Sequence, residues 1–414
     1  MLAILLFAQF LLFACPSTCA VSVDIRQAQI KKIQLGVKAF DGYRGVEVAD
    51  VIKNDLTRSG MFDIFNIVRD SSAQQADSVL TGTVSEENGH VVLRFKIWDV
   101  HQKMFVVDRE VKILEDHWRR SCHIASDTIY QYMTGHPAYN DAKLLFVSKS
   151  DRYERLASVH PDGSDLVYIS GPSQKSLFSK PVMSPDNTHV LYVSYKDNSP
   201  NVHLLDLRTG QSEILLPGCF SMSPSFSADG KEALISVADE KSNTTSIHSV
   251  QIAKTGGARS SNKLTKRNGV VDLSPSSGPD SRYVTFSSNR SGGYQVHILD
   301  RQNDSVKQIT HGPGQCYSPR WSPLGNLIAF IRVYKNEFSL CIVRPDGTGF
   351  DVIERAHFVD NPYWAPNGSS IVFMKRDSGV SKLYVTDINS RHSYNVEMRE
   401  QGIDPSWSDV LHSS

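Results

Sequence analysis

A proline-centred phrase recurs through the second half of this chain and then stops partway through a copy. It reads PVMSPDNTHVLYV from Pro181, PSFSADGKEALIS from Pro224, PSSGPDSRYVTFS from Pro275, PRWSPLGNLIAF from Pro319, PYWAPNGSSIVF from Pro362 and PSWSDV from Pro405. The intervals are 43, 51, 44, 43 and 43 residues, and the longer one contains the polar insertion KTGGARSSNK (254–263). Each period holds short apolar runs such as LIAFIRV, FSLCIVRPDGTG and FDVIE, bounded by Gly, Asp, Asn and Pro, which read as strands and hairpins. Four strands in about 40–45 residues make a propeller blade. Upstream, AKLLFVSKSDRYERLASVHPDGSDLVYIS (142–170) supplies three strands without an innermost one, and the final GIDPSWSDV supplies an innermost strand alone. Joined, the two complete a sixth blade and pair sheet edges that would otherwise stay open. The predicted fold is therefore mainly β: a six-bladed β-propeller (142–414) preceded by a smaller α+β domain. Trp321, Trp364 and Trp407, set at the repeat period, are expected to pack between blades.

Residues 21–135 do not repeat. KIQLGVKAF and MFDIFNI read as strands on either side of an amphipathic helix, GVEVADVIKNDLTRSG. Further period-two strands lie in ADSVLTGTVSEENGHVVLRFKIWDV and KMFVVDREVKIL, and DHWRRSCHIASDTIYQYMTG is a helix stopped by Gly135 and Pro137. A short, adjustable junction at 136–141 is expected between the two domains. Ahead of them, the apolar run Met1–Ala14 and the small-residue site Thr18-Cys19-Ala20 read as a secretory leader cleaved after Ala20. The alternative is lipoprotein processing at LFAC (12–15), which would leave Cys15 as a lipid-bearing terminus.

With 44 basic and 44 acidic residues, net charge points to neither nucleic acid nor anionic membrane. Cys122, Cys219, Cys316 and Cys341 fit no metal or Cys-x-x-Cys spacing and read as buried or half-buried thiols. No G-x-S-x-G elbow occurs, and the 115 residues in front of the propeller cannot hold an α/β-hydrolase domain. No Asp-x-Asp-x-Asp run suggests a metal. Neither a catalytic residue, a cofactor nor a metal is expected. The rival is a propeller enzyme or small-ligand-binding protein with its site in the central channel, supported by Asp residues at the channel mouth.

The domain order, LGVKAF, IKNDLTRSGMF, HIASDTIYQYMTG and the six blade phrases together resemble the TolB family, the periplasmic component of the Tol–Pal envelope system. The resemblance covers almost all of the chain after Ala20. It implies a periplasmic, non-enzymatic, monomeric scaffold that meets membranes only through protein partners. It implies binding of the peptidoglycan-associated lipoprotein Pal by one face of the propeller, in support of outer-membrane integrity and constriction at division. In some members an N-terminal segment binds TolA.

The connections into the innermost strands read FSKP, FSMSP, VDLSP, CYSP, VDNP and GIDP. They place Phe178, Phe220, Met222, Leu273 and Tyr317 on turns expected to face solvent, with Ser223, Asp272, Asp360, Asn361 and Asp404 around them. An apolar centre with a polar rim suits a protein partner; the same side chains could instead plug the channel. The resemblance favours docking of Pal here. Val21, Val23 and Ile25 alternate with polar residues, so this segment could add as a strand to another sheet, TolA by the resemblance, or lie as a tail. His123 and Asp127, one helical turn apart, are expected to form an interdomain hydrogen-bonding pair. With Ser126 they sit too close on one helix for a catalytic triad.

Overall fold

The computed structural model describes residues 31–67, 75–150, 153–170, 177–196, 199–216, 220–239, 241–252 and 261–411. Within Gly45–Arg58, called α1, the apolar residues Val48, Ile52 and Leu56 recur every four positions and are buried. That spacing puts them on one face. In Trp118–Thr134, called α2, Cys122, Ala125 and Ile129, three and four positions apart, are buried on one face, and Gly135 ends the helix at φ 73°. Both helices share one core with a sheet whose strands run in the order Phe62–Asn66, Ile33–Val37, Ser78–Glu87, His90–Asp99, Met104–Leu114, with Asp41–Gly42 pairing the third. Leu35, Leu80, Leu93, Phe95 and Ile97 are fully buried beneath them, each worth roughly 1.5–3 kcal/mol of transfer energy.

The rest of the described chain forms six four-stranded antiparallel sheets, the blades. Blades 1 to 5 begin at Leu177, Phe220, Asp272, Gln315 and Val359. Blade 6 takes its innermost strand, Gln401–Trp407, from the end of the chain and pairs it with Leu144–Lys149, then Glu154–Val159 and Val167–Tyr168. The ladder runs from Gln401 opposite Lys149 to Trp407 opposite Leu144. Lys143 N donates to Ser408 Oγ at 2.8 Å and Ser408 N to Lys143 O at 2.8 Å, so the closure is held beyond the strand ends. The six-bladed propeller and the α+β layer ahead of it match the sequence reading.

The tryptophans pack between blades. Trp321 stacks on Tyr283 of blade 3 at 6.1 Å, and Trp364 Nε1 donates to Arg320 O of blade 4 at 2.9 Å. Trp407 lies in a core with Val372, Met374 and Leu383 of blade 5. Cys122, Cys316 and Cys341 are buried and unbridged, and burial pushes the first thiol up to about 12. Cys219 lies outside the described residues, as do Val21, Val23, Ile25 and the leader. Among the described residues no helix is long and apolar enough to cross a membrane.

Candidate functional site

The repeated proline sits inside each innermost strand, not ahead of it. The six strands are Leu177–Met183, Phe220–Phe226, Asp272–Ser277, Gln315–Trp321, Val359–Trp364 and Gln401–Trp407. A proline lacks the N–H that a ladder needs, and strands accommodate it at bulges. Here the residue before each proline is left-handed: Lys180, Ser223, Ser274, Ser318, Asn361 and Asp404 have φ between 50° and 53°. The register shifts across every one of these sites. One extra residue is thereby absorbed and the strand continues past the proline. The expected connecting turns are thus the first halves of strands, and this corrects the expected exposure of several mouth residues.

Phe178 is 3% exposed, packed edge-on against Tyr192 at 5.7 Å in a core with Leu145 and Val147. Asp272 is fully buried, its two carboxylate oxygens accepting from Arg290 Nη2 at 3.0 and 2.8 Å. Ser223 is buried as well. These three belong to the wall. Phe220, Met222, Leu273, Tyr317, Asp360, Asn361 and Asp404 are half-buried and remain at the mouth. On its other side the polar groups form a clasp over blade 6. Asp404 Oδ2 accepts from Lys180 N of blade 1 at 3.0 Å. Asn361 Nδ2 of blade 5 donates to Asp404 Oδ1, and Lys180 Nζ donates to Asn361 Oδ1. Ser318 Oγ donates to Asp360 Oδ1 at 3.2 Å.

A second polar constellation lies where α1 and α2 meet blade 6. His123 Nδ1 donates to Asp55 Oδ2 at 2.8 Å, Ser126 Oγ to the same oxygen at 2.9 Å, and Arg58 faces the other. His123 Nε2 points across to Asp162 Oδ2 at 3.8 Å, in the turn after Val159, and Arg119 Nε donates to that oxygen at 2.9 Å. Burial alone would lower the His123 pKa, but Asp55 and Asp162 outweigh it and leave the imidazole above its ordinary value. Burial opposes the Asp162 charge, yet His123, Ser164 and Arg119 hold that carboxyl well below the usual range. His160, its ring tilted against that of His123 with centroids 4.8 Å apart, is pushed down to about 4 by burial and by its cationic neighbour.

His123 and Asp127 do not bond to each other. Asp127 Oδ1 accepts from Asn140 N and Nδ2, both at 2.8 Å, and its Oδ2 from Asp141 N at 3.0 Å. Burial raises it to about 6 despite these three donors. Each residue therefore bridges on its own: His123 to Asp55 and the blade 6 turn, Asp127 to the chain entering the propeller. Of the junction, His136 and Pro137 are exposed, whereas residues 138–141 are buried and Asn140 and Asp141 are bonded to Asp127. Asp55, His123 and Asp162 bring ligand atoms within 4.8 Å of one another. With Nδ1 committed to Asp55 and two arginines balancing the carboxylates, this is a charge network in place of a metal centre.

The opposite mouth is a funnel of ≈390 Å³ walled by the hairpin turns that follow each innermost strand. Pro279, Pro323, Pro366, Trp364 and Trp407 give it an apolar lining, and Arg320 lies inside. Sequence reasoning passed over Arg320. The signal was available: the residue after the repeated proline is Val182, Ser225, Ser276, Arg320, Tyr363 or Ser406, and one of the six is a cation.

Residues 130–411 match the family model described as the TolB beta propeller domain, and residues 21–105 match that of the TolB amino-terminal domain. The chain belongs to the TolB family. It is 29% identical, over 97% of its length and 91% of the relative's, to the Tol-Pal system protein TolB of Gluconobacter oxydans (strain 621H). Its fold is similar to the crystal structure of TolB from Acinetobacter baumannii, with a TM-score of 0.81 at 20% identity, covering 92% of this chain and 97% of that one. A putative TolB from Agrobacterium tumefaciens aligns with a TM-score of 0.50 at 20% identity over 64% of this chain and 92% of its own. Ser126 and His123 both bond to Asp55, and Asp127 bonds to Asn140 and Asp141, so the three do not form a catalytic triad.

Proposed function

We propose that this protein is a non-catalytic, periplasmic scaffold of the Tol–Pal system. On this reading the propeller (142–414) binds Pal at the mouth framed by Phe220, Met222, Leu273, Tyr317, Asp360, Asn361 and Asp404. The front domain (21–135) is carried rigidly behind it across 136–141, and the protein acts as a monomer in support of outer-membrane integrity and constriction at division. The observation that carries the reading is family membership spanning both domains, together with a relative named as a Tol-Pal system protein that aligns over 97% of the chain. The mouth agrees with it physically: half-buried apolar groups on rigid strands beside a polar clasp are suited to a partner that docks without remodelling the blades. Export with cleavage after Ala20, and strand addition to TolA through Val21, Val23 and Ile25, are parts of the same proposal carried by the sequence alone.

Calorimetric titration of residues 21–414 with the organism's soluble Pal domain tests it. Saturable 1:1 binding is expected; absence of binding removes the scaffold reading and leaves the channel as the site to search. Loss of TolA binding on deleting residues 21–33, with Pal binding retained, would support the second contact.

A further inference from the structure

Arg320 is buried inside the propeller without a counter-charge. It is 8% exposed, its Nη1 donates to Pro275 O of blade 3 at 3.2 Å, and its Cζ lies 5.5 Å from the centre of the Tyr363 ring of blade 5. Among the described residues no carboxylate comes within the 4.0 Å of an ion pair. A guanidinium stays charged in proteins, and a buried charge without a partner is costly. Burial lowers its pKa, and Tyr363, Asp360 and Asp404 offset this only in part. Three buried carboxylates of this molecule do have a counter-charge. Asp272 has Arg290, Asp55 has Arg58 and His123, and Asp162 has Arg119.

The surroundings of Arg320 have the form of a ligand site. The funnel of ≈390 Å³ that contains it is open at the hairpin-turn mouth, opposite the mouth assigned to Pal. Its volume lies in the range of small-molecule sites, about 300–1,000 Å³. Half of the residues that line it are aromatic, proline or alanine, and seven of the others are serines. Ser225 Oγ and Trp407 Nε1, on residues of the same wall, are buried with no hydrogen-bond partner. The one carboxylate lining it, Asp409, is exposed at the rim and accepts from Val410 N at 2.8 Å. One fixed cation in a wall rich in proline and aromatic side chains is complementary to an anion on an apolar body. We propose that this funnel binds a small organic carboxylate, its charge against the Arg320 guanidinium and its apolar body among the proline and tryptophan side chains. A guanidinium accepts a carboxylate through parallel N–H donors, which a lysine cannot reproduce.

The test is a titration of the full chain with N-acetylphenylalanine and with N-acetylphenylalaninamide, followed by calorimetry and by tryptophan fluorescence, since three tryptophans line the funnel. The acid is expected to bind at least about tenfold more tightly than the amide. In Arg320→Gln that preference should vanish, and in Arg320→Lys it should weaken. The Met222→Asp, Leu273→Asp variant should bind the acid as the unaltered protein does, which separates this site from the Pal mouth. Equal binding of acid and amide, no binding of the acid at about 10 mM, or a preference that survives in Arg320→Gln would overturn the proposal. Should Arg320→Gln fail to fold, the acid–amide ratio on the native chain still decides. Binding of acetyl-Phe-Glu-Phe-amide without binding of the free acid would also overturn it, and would assign the funnel to a peptide.

Discussion

The channel mouth and the junction seam both hold polar side chains out of bulk water, yet they are assembled in opposite ways. At the mouth one device, a left-handed residue before a proline, is repeated six times around an axis, and the side chains there differ from blade to blade. At the seam, Asp55, His123, Asp127 and Asp162 each occur once, drawn from two helices and one turn, and each carries bonds that no other residue duplicates. A repeated backbone device tolerates side-chain change, because the ladder on either side of it holds the conformation. A seam of single charges does not, because removing one leaves another buried and unpaired. The mouth is thus free to be a recognition surface, and the seam is committed to holding the domains.

Four perturbations test this contrast. The largest effect is expected from deleting Gln401–Leu411, which strips blade 6 of its innermost strand and opens an edge along Leu144–Lys149. Loss of cooperative melting, with aggregation by size-exclusion chromatography, is expected; a native-like melt would refute the closure. Next is Asp55→Ala, which takes the carboxylate from His123 and Arg58 and should cost about 3–5 kcal/mol in urea unfolding. Asn361→Ala at the mouth should cost about 1 kcal/mol. Equal losses at the two sites would erase the distinction drawn here.

The third perturbation is pH. The folded pKa of His123 lies above its unfolded value of about 6.5, so its contribution is full below that pH and fades as pH rises through the folded value. His160, at about 4 when folded, contributes above its unfolded pKa and loses that contribution as pH falls towards 4. His123→Gln should therefore flatten the decline of stability above neutrality, and His160→Gln the decline below it, in unfolding free energies measured from pH 4 to 9. Reversed signs would show that the seam carries charges other than those assigned. The smallest effect belongs to Ser274→Gly, at φ 53°. Relief of the left-handed conformation and the added freedom of the unfolded chain should cancel to within about 1 kcal/mol.

The same contrast explains what was legible in the amino-acid sequence. The blades, the split sixth blade and the interblade tryptophans follow from periodicity, which averages over six copies. In the front domain both helices and the strands flanking them were legible from apolar spacing and from Gly60 and Gly135. The bulge was hidden, since a proline in a strand ordinarily signals an edge or an end. Phe178 and Asp272 were therefore assigned to turns when they lie in the wall. The partners of His123 and Asp127 were hidden for a different reason: Asp55 and Asp162 stand 68 and 39 positions from His123 in the chain, and no local pattern reports that meeting. Arg320 stood out only against its own repeat.

The central claim is that the partner docks at the mouth where the innermost strands begin. The direct measurement is calorimetric titration of the soluble Pal domain into three proteins matched for melting temperature: the unaltered chain, Met222→Asp with Leu273→Asp, and Arg320→Gln. The account predicts binding by the first and third and none by the second. Binding retained by the mouth variant, or lost only in Arg320→Gln, would contradict it and move the partner to the opposite end of the channel.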